Sequence, residues 1–239
     1  MYFKESSSYL LADAYFSKST VAKTVLGLGM HFISRLRDDA NLNYIYRGGQ
    51  SGKRGAPEKY DGKVDPESPD MNHFSKIVVC DELTIYSAQV YCVAFEMNIN
   101  PAIAVFYKNG KEMAGKLYFC TDPEMDARKI VSYYRSRFQI EFIYRDAKQY
   151  CGLTHCQARS GNKLDFHFNA ALTAVNSAKI EWLQSAPAAT QSFSMSSYKT
   201  MYNNDLLSRL FIRKFGINPN TKKNRKIIKE LRDYGKIAV

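Results

Sequence analysis

The sequence predicts a mixed α/β protein, with an α/β core at its start, a β-rich segment in the middle and a helical region at its end. Three observations carry this. A strand–helix–strand rhythm opens the chain, segments rich in valine, isoleucine and aromatics fill 73–121, and helical periodicity dominates from 122 onward. The 239 residues are 45% hydrophobic and 13% aromatic, which is enough for a core and unlike a disordered composition.

The opening unit reads cleanly. "SYLLADAY" is a short apolar strand ending near Asp13, and "SKSTVAKTVLGLG" follows as a helix of about ten residues. Ser17 or Ser19 is placed to cap that helix and Gly29 to end it. "MHFISRLR" alternates as a second strand, so a parallel crossover is expected. Asp13 then sits at the carboxyl end of its strand, where open α/β sheets place ligand chemistry.

The stretch 42–72 is rich in glycine, proline and charge, and predicts loops around at most a short hairpin. "FSKIVVCDE", "SAQVYCVAFEMN", "AIAVFYKNG" and "GKLYFCTD" predict about four largely antiparallel strands, with "KNGKE" as a tight turn. "TDPEMDARKIVSYYRSRFQIEFIYRDAKQY" then reads as one long helix, capped by Thr121 or Asp122 with Pro123 in its first position. A second helix starts near Phe166, "SAPAATQSFSMSSYK" reads as a linker, and "NNDLLSRLFIRKFG" and a basic helix close the chain. The expected divisions are 1–72 for the core unit and basic loop, 73–121 for a β-rich insertion, 122–185 for two helices, and 186–239 for the linker and basic helices.

Charge narrows the function classes. There are 34 Lys/Arg against 23 Asp/Glu, a formal net charge of +11, which favours a polyanionic partner such as nucleic acid. Residues 201–239 hold ten Lys/Arg and three Asp/Glu; this tail reads equally as a solvated helix face or a phosphate grip. No run of eighteen apolar residues argues for a membrane span, and the N-terminus lacks a secretory pattern. Five cysteines without a CxxC pair suit a reducing cytoplasm, and neither they nor the four scattered histidines suggest zinc.

On a continuous helix advancing about 100° per residue, Tyr134, Arg137, Glu141 and Lys148 share an arc of about 60° and a length of about 21 Å. One reading is a solvated face with an Arg137–Glu141 pair worth roughly 0.3–0.5 kcal/mol. The other makes Glu141 a hard oxygen donor for Mg²⁺, flanked by cations that clamp a polyanion.

The spacing Tyr-(2)-Arg-(3)-Glu-(6)-Lys resembles the signature of a large group of DDE transposases of bacterial insertion sequences. "LYFCTDPEMDARKIVSYYRSRFQIEFIYRDAKQYCGL" is similar to that group's glutamate segment, and "LLADAYFSKSTVAKTVLGLGMHFISRLR" to the segment around its second catalytic aspartate. The resemblance implies a partial RNase H-like core with a β-rich insertion before the glutamate helix, and DNA transposition by metal-dependent phosphodiester hydrolysis and strand transfer. It makes Asp13 and Glu141 the catalytic, metal-holding carboxylates, and Tyr134, Arg137 and Lys148 the residues that steady DNA. Two Mg²⁺ or Mn²⁺ ions are expected in the complete protein, with double-stranded transposon ends and target DNA as partners and a homodimer in the assembled complex. Only two of three acids are placed. Asp13 leads into a helix, which matches the second aspartate, so the first is expected upstream of Met1; Asp61, Asp65 and Asp81 are weaker substitutes. The fragment is therefore expected to be inactive alone. The alternative is a regulatory DNA-binding protein that modulates a full-length transposase.

Overall fold

The computed structural model describes residues 7–49, 56–185 and 192–237. Strand β1 (Tyr9–Leu11) pairs in parallel with β2 (His31–Arg35) across helix α1 (Ser19–Gly27), as the opening rhythm predicts. The cap differs from expectation. Lys18 occupies the N-cap without a side-chain bond, because the Ser17 hydroxyl turns to the sheet, 2.7 Å from the Arg35 carbonyl. Gly29, at φ 72°, supplies the left-handed residue beyond the helix.

Strands β3 (Leu42–Ile45) and β4 (Tyr60–Lys63) form the antiparallel pair of the loop-rich segment, whose residues 50–55 lie outside the described residues. Five strands follow where about four are expected: β5 (Ser75–Cys80), β6 (Leu83–Ser87), β7 (Val90–Cys92), β8 (Met97–Lys108) and β9 (Lys111–Cys120). The additional boundary is a turn at Val93–Glu96 inside "YCVAFEMN", where Glu96 takes φ 56° without any glycine or proline to mark it. Asn109 and Gly110, at φ 53° and 74°, make the tight turn between β8 and β9.

Among the described residues, nine strands form one sheet, in the order β1-β2-β9-β8-β7-β3-β4, with β6 and then β5 branching from β8. Every pairing except β1–β2 is antiparallel. Alternation along the central strands divides the core. Phe32, Ile103, Val105, Leu117 and Phe119 pack with Ala22 and Val25 of α1 on one face. Ile33, Ala102, Ala104, Tyr118 and Cys120 pack on the other with α2 (Ala127–Ser136), through Ala127, Ile130 and Val131. Both faces are covered, which is why these strands read as nearly continuous apolar runs.

The long helix expected from 122 is two helices. Asp126, not Thr121 or Asp122, caps α2, accepting from the Arg128 amide at 2.7 Å. Asp122 instead accepts from the Glu124 amide in a preceding turn. At the other end, the amides of Arg137 and Phe138 reach back only three residues, to Tyr134 and Arg135, before α3 (Gln139–Tyr150) begins. The chain divides into two compact units at this break, residues 1–138 and 139–239.

The second unit is helical: α3, α4 (Gly161–Ser185), α5 (Met195–Phe215) and α6 (Lys222–Asp233). Ala147, Leu153, Ala171 and Val175 form its small core, with Ile143 and Leu172 against it. The expected linker is partly helix, since Ser194 caps α5 by accepting from the Ser197 amide; its residues 186–191 lie outside the described residues. Gly216, at φ 59°, ends α5, and Thr221 caps α6. All five cysteines are free. Among the described residues, no helix is long and apolar enough to cross a membrane.

Candidate functional site

Asp13 follows β1 directly and caps a 3₁₀ turn (Ala14–Phe16), its Oδ1 accepting from the Tyr15 amide at 3.2 Å. What holds it there is buried beneath it. The Ser34 hydroxyl on β2, fully buried, lies 2.9 Å from the Ala12 carbonyl and 3.2 Å from that of Asp13. Ser17 Oγ stands 2.8 Å from Ser34 Oγ, so the segment around Asp13 is tied to β2 at three backbone or hydroxyl points. The Asp13 side chain is half exposed, which leaves its carboxylate accessible from solvent.

Helix α2 brings two more of the expected residues to this place. Ala127, Ile130, Val131 and Tyr134 repeat at helical spacing and turn to the sheet, so the arc that the sequence marks as polar begins as a buried stripe. The Tyr134 ring packs 4.7 Å from that of Tyr118 on β9. Arg137, one turn on, places its guanidinium 5.7 Å from the Tyr134 ring, with Nη1 3.5 Å from Asp13 Oδ2. Burial pushes the Tyr134 phenol up and the Asp13 charge adds to this, while Arg137 and Arg35 pull it down.

That balance exposes a participant absent from the expected set. Arg35 ends β2 as the cross-strand partner of Tyr118, and its buried Nε has no hydrogen-bond partner among the described residues. Its charge acts on both Tyr118 and Tyr134. A cation at the end of the strand parallel to that of Asp13 was the available signal in the sequence; strand alternation reports burial and gives it no weight.

Glu141 and Lys148 belong to the helical unit. Both are exposed on α3, seven residues apart and therefore on one face about 10 Å long. Glu141 lies in the first turn, where the helix dipole favours a negative charge. The expected four-residue row is thus two pairs carried by two helices: Tyr134 with Arg137, and Glu141 with Lys148. Of the three substitute acids, Asp61 sits on β4 with its carboxylate 3.2 Å from His73, Asp65 accepts from the Glu67 amide, and Asp81 occupies the β5–β6 turn. Among the described residues, no three His, Cys, Asp or Glu side chains gather into a group able to hold a metal ion.

The family model of the transposase DDE domain matches residues 3–177, most of the chain and all of the residues above. The chain belongs to the transposase DDE domain family. A search of curated proteins gave no match. Family membership relates the chain to DDE transposases and RNase H-like nucleases, and its β-rich first part and helical second part are consistent with an RNase H-like superfamily fold.

Proposed function

We propose that this chain acts in DNA transposition, contributing Asp13 and Glu141 as two carboxylates of a phosphodiester-cleaving and strand-transferring site. The observation that supports this best is the Asp13–Arg137–Tyr134 cluster at the carboxyl end of β1, built from two separated segments of the family-matched region. Both carboxylates are hard oxygen donors on exposed or half-exposed side chains, which fits Mg²⁺ or Mn²⁺ held with phosphate oxygens and water. When bound, such ions supply charge neutralisation at the attacked phosphate and an activated oxygen nucleophile.

The chain's own residues have separable tasks. Arg137 presents a planar guanidinium, stiffened by Tyr134, suited to fork onto a backbone phosphate. Arg35 adds a second guanidinium at the same strand end, and Lys148 a point charge on the face of Glu141. Tyr134 serves as the packed wall that fixes the approach of Arg137. In this reading, the described residues supply two acids of the three that the chemistry needs, so the purified chain binds duplex DNA but does not cut it.

The test joins two assays: incubation of the chain with plasmid and short duplex DNA in Mg²⁺ or Mn²⁺, and duplex binding across a salt series. No cleavage is expected, together with salt-sensitive binding that Arg137→Gln weakens. Metal-dependent cleavage abolished by Glu141→Gln would overturn the two-acid reading; absence of salt-sensitive binding would overturn the DNA role. Reduced transposition on co-expression with a complete transposase would favour the regulatory alternative.

A further inference from the structure

Helix α6 presents a cationic face that the site does not use. Lys222, Arg225, Lys226 and Lys229 fall within an arc of about 100° and a length of about 10 Å, and all four are exposed. Asn224 and Ile228, the half-buried residues of the helix, lie on another side, and the helix as a whole contacts α5. The helix is also tethered by its backbone. Asn204 Nδ2 donates to the carbonyls of Arg232 and Tyr234 at 3.3 and 2.8 Å, and Asn224 Nδ2 donates to that of Asn218 at 2.7 Å.

Little internal charge opposes this face. Lys226 reaches Glu230 only at 3.9 Å on an open surface, and Asp233 is engaged by Lys236. Lys222, Arg225 and Lys229 have no ion pair among the described residues. Four like charges held together on a fixed helix are self-repelling, and a polyanion relieves that repulsion.

We propose that this face of α6 is a sequence-independent docking surface for duplex DNA, outside the phosphodiester site. Duplex DNA offers about one charge per 1.7 Å of axis, so a face of this length meets several phosphates without reading bases. Ile228 is half-buried while Ile227 and Leu231 are 41% and 50% exposed, so a membrane surface is the competing occupant that the vesicle arm below separates, and the family's link to DNA transposases favours the duplex. The proposal rests on the DNA-acting reading of the chain and adds where non-specific affinity resides.

Fluorescence anisotropy of a labelled random-sequence duplex, in EDTA and from 50 to 200 mM NaCl, tests it with the full chain. The variant is Lys222→Gln/Arg225→Gln/Lys226→Gln/Lys229→Gln, checked by circular dichroism for retained helix. Each phosphate contact contributes about 0.9 to the slope of log affinity against log salt, so four lost contacts lower it by roughly 3.6. Across that range the wild type then loses roughly 150-fold more affinity than the variant. An unchanged slope overturns the proposal, as does a variant that loses binding only to phosphatidylserine vesicles. If Arg137→Gln lowers the slope and the quadruple variant does not, this surface falls while the reading of the site stands. If the wild type binds no duplex at 50 mM, both fall.

Discussion

Ser34→Ala removes a hydroxyl with no solvent exposure, and the structure sets the size of the effect. One hydroxyl proton serves two carbonyls, Ala12 at 2.9 Å and Asp13 at 3.2 Å, while Ser17 Oγ keeps the Arg35 carbonyl at 2.7 Å as its own acceptor. The loss is therefore one donated bond and not two. A typical net hydrogen bond contributes about 0.5–1.5 kcal/mol, and a buried carbonyl left dry costs about 1–3 kcal/mol. Ala12 and Asp13 are only half-buried, so water can reach them, and about 1–2 kcal/mol is expected. The chain's one tryptophan, Trp182, lies in the other unit, so its fluorescence would miss the change. Amide hydrogen exchange of peptides spanning 9–18 is the appropriate assay, with protection falling about 5- to 30-fold. Unchanged protection there would refute the idea that Ser34 fixes the Asp13 segment.

Ile130→Ala, which empties a fully buried position between α2 and the sheet, should cost about 2–5 kcal/mol in urea unfolding followed by circular dichroism; Ile140→Ala, half exposed, should cost far less. Equal costs would contradict the buried-stripe assignment of α2. Tyr9 donates to Asp122 at 2.9 Å, and with that bond as the leading cause its phenol is pushed up to about 12. A raised folded-state value favours the neutral form, so this contribution is complete below the ordinary tyrosine value near 10 and is lost as pH rises toward about 12. Tyr9→Phe should therefore flatten the loss of stability between those values, measured by denaturant unfolding at stepped pH; an unaltered alkaline limb would remove Tyr9 as its cause.

The crossover around α1, the strands of 73–121 and the tight turn at Asn109–Gly110 were legible because apolar runs, β-branched residues and turn chemistry agreed there. The break after Ser136 was not. "YYRSRFQIEF" contains only residues a helix tolerates, and the ladder shortens without the proline or glycine that would mark it. The missed break also hid the true face of α2, since a polar arc drawn through a continuous helix conceals that Ile130 and Tyr134 pack on the sheet. Asp13 and Arg137 were singled out through the order of elements and the spaced motif. Arg35 and Ser34 were not, because their importance comes from strand partnership, which one-dimensional periodicity does not encode.

Among the described residues β5 pairs with β6 alone, so its other side leaves main-chain groups of Ser75–Cys80 without a strand partner there, along an outer border of the sheet. Val78 and Val79 are 62% and 44% exposed there, with Lys76 as the strand's one charged side chain. Such a border is a template for another molecule's strand, and it has little electrostatic discouragement against being used. At high protein concentration, this margin is where chains would begin to stick to one another.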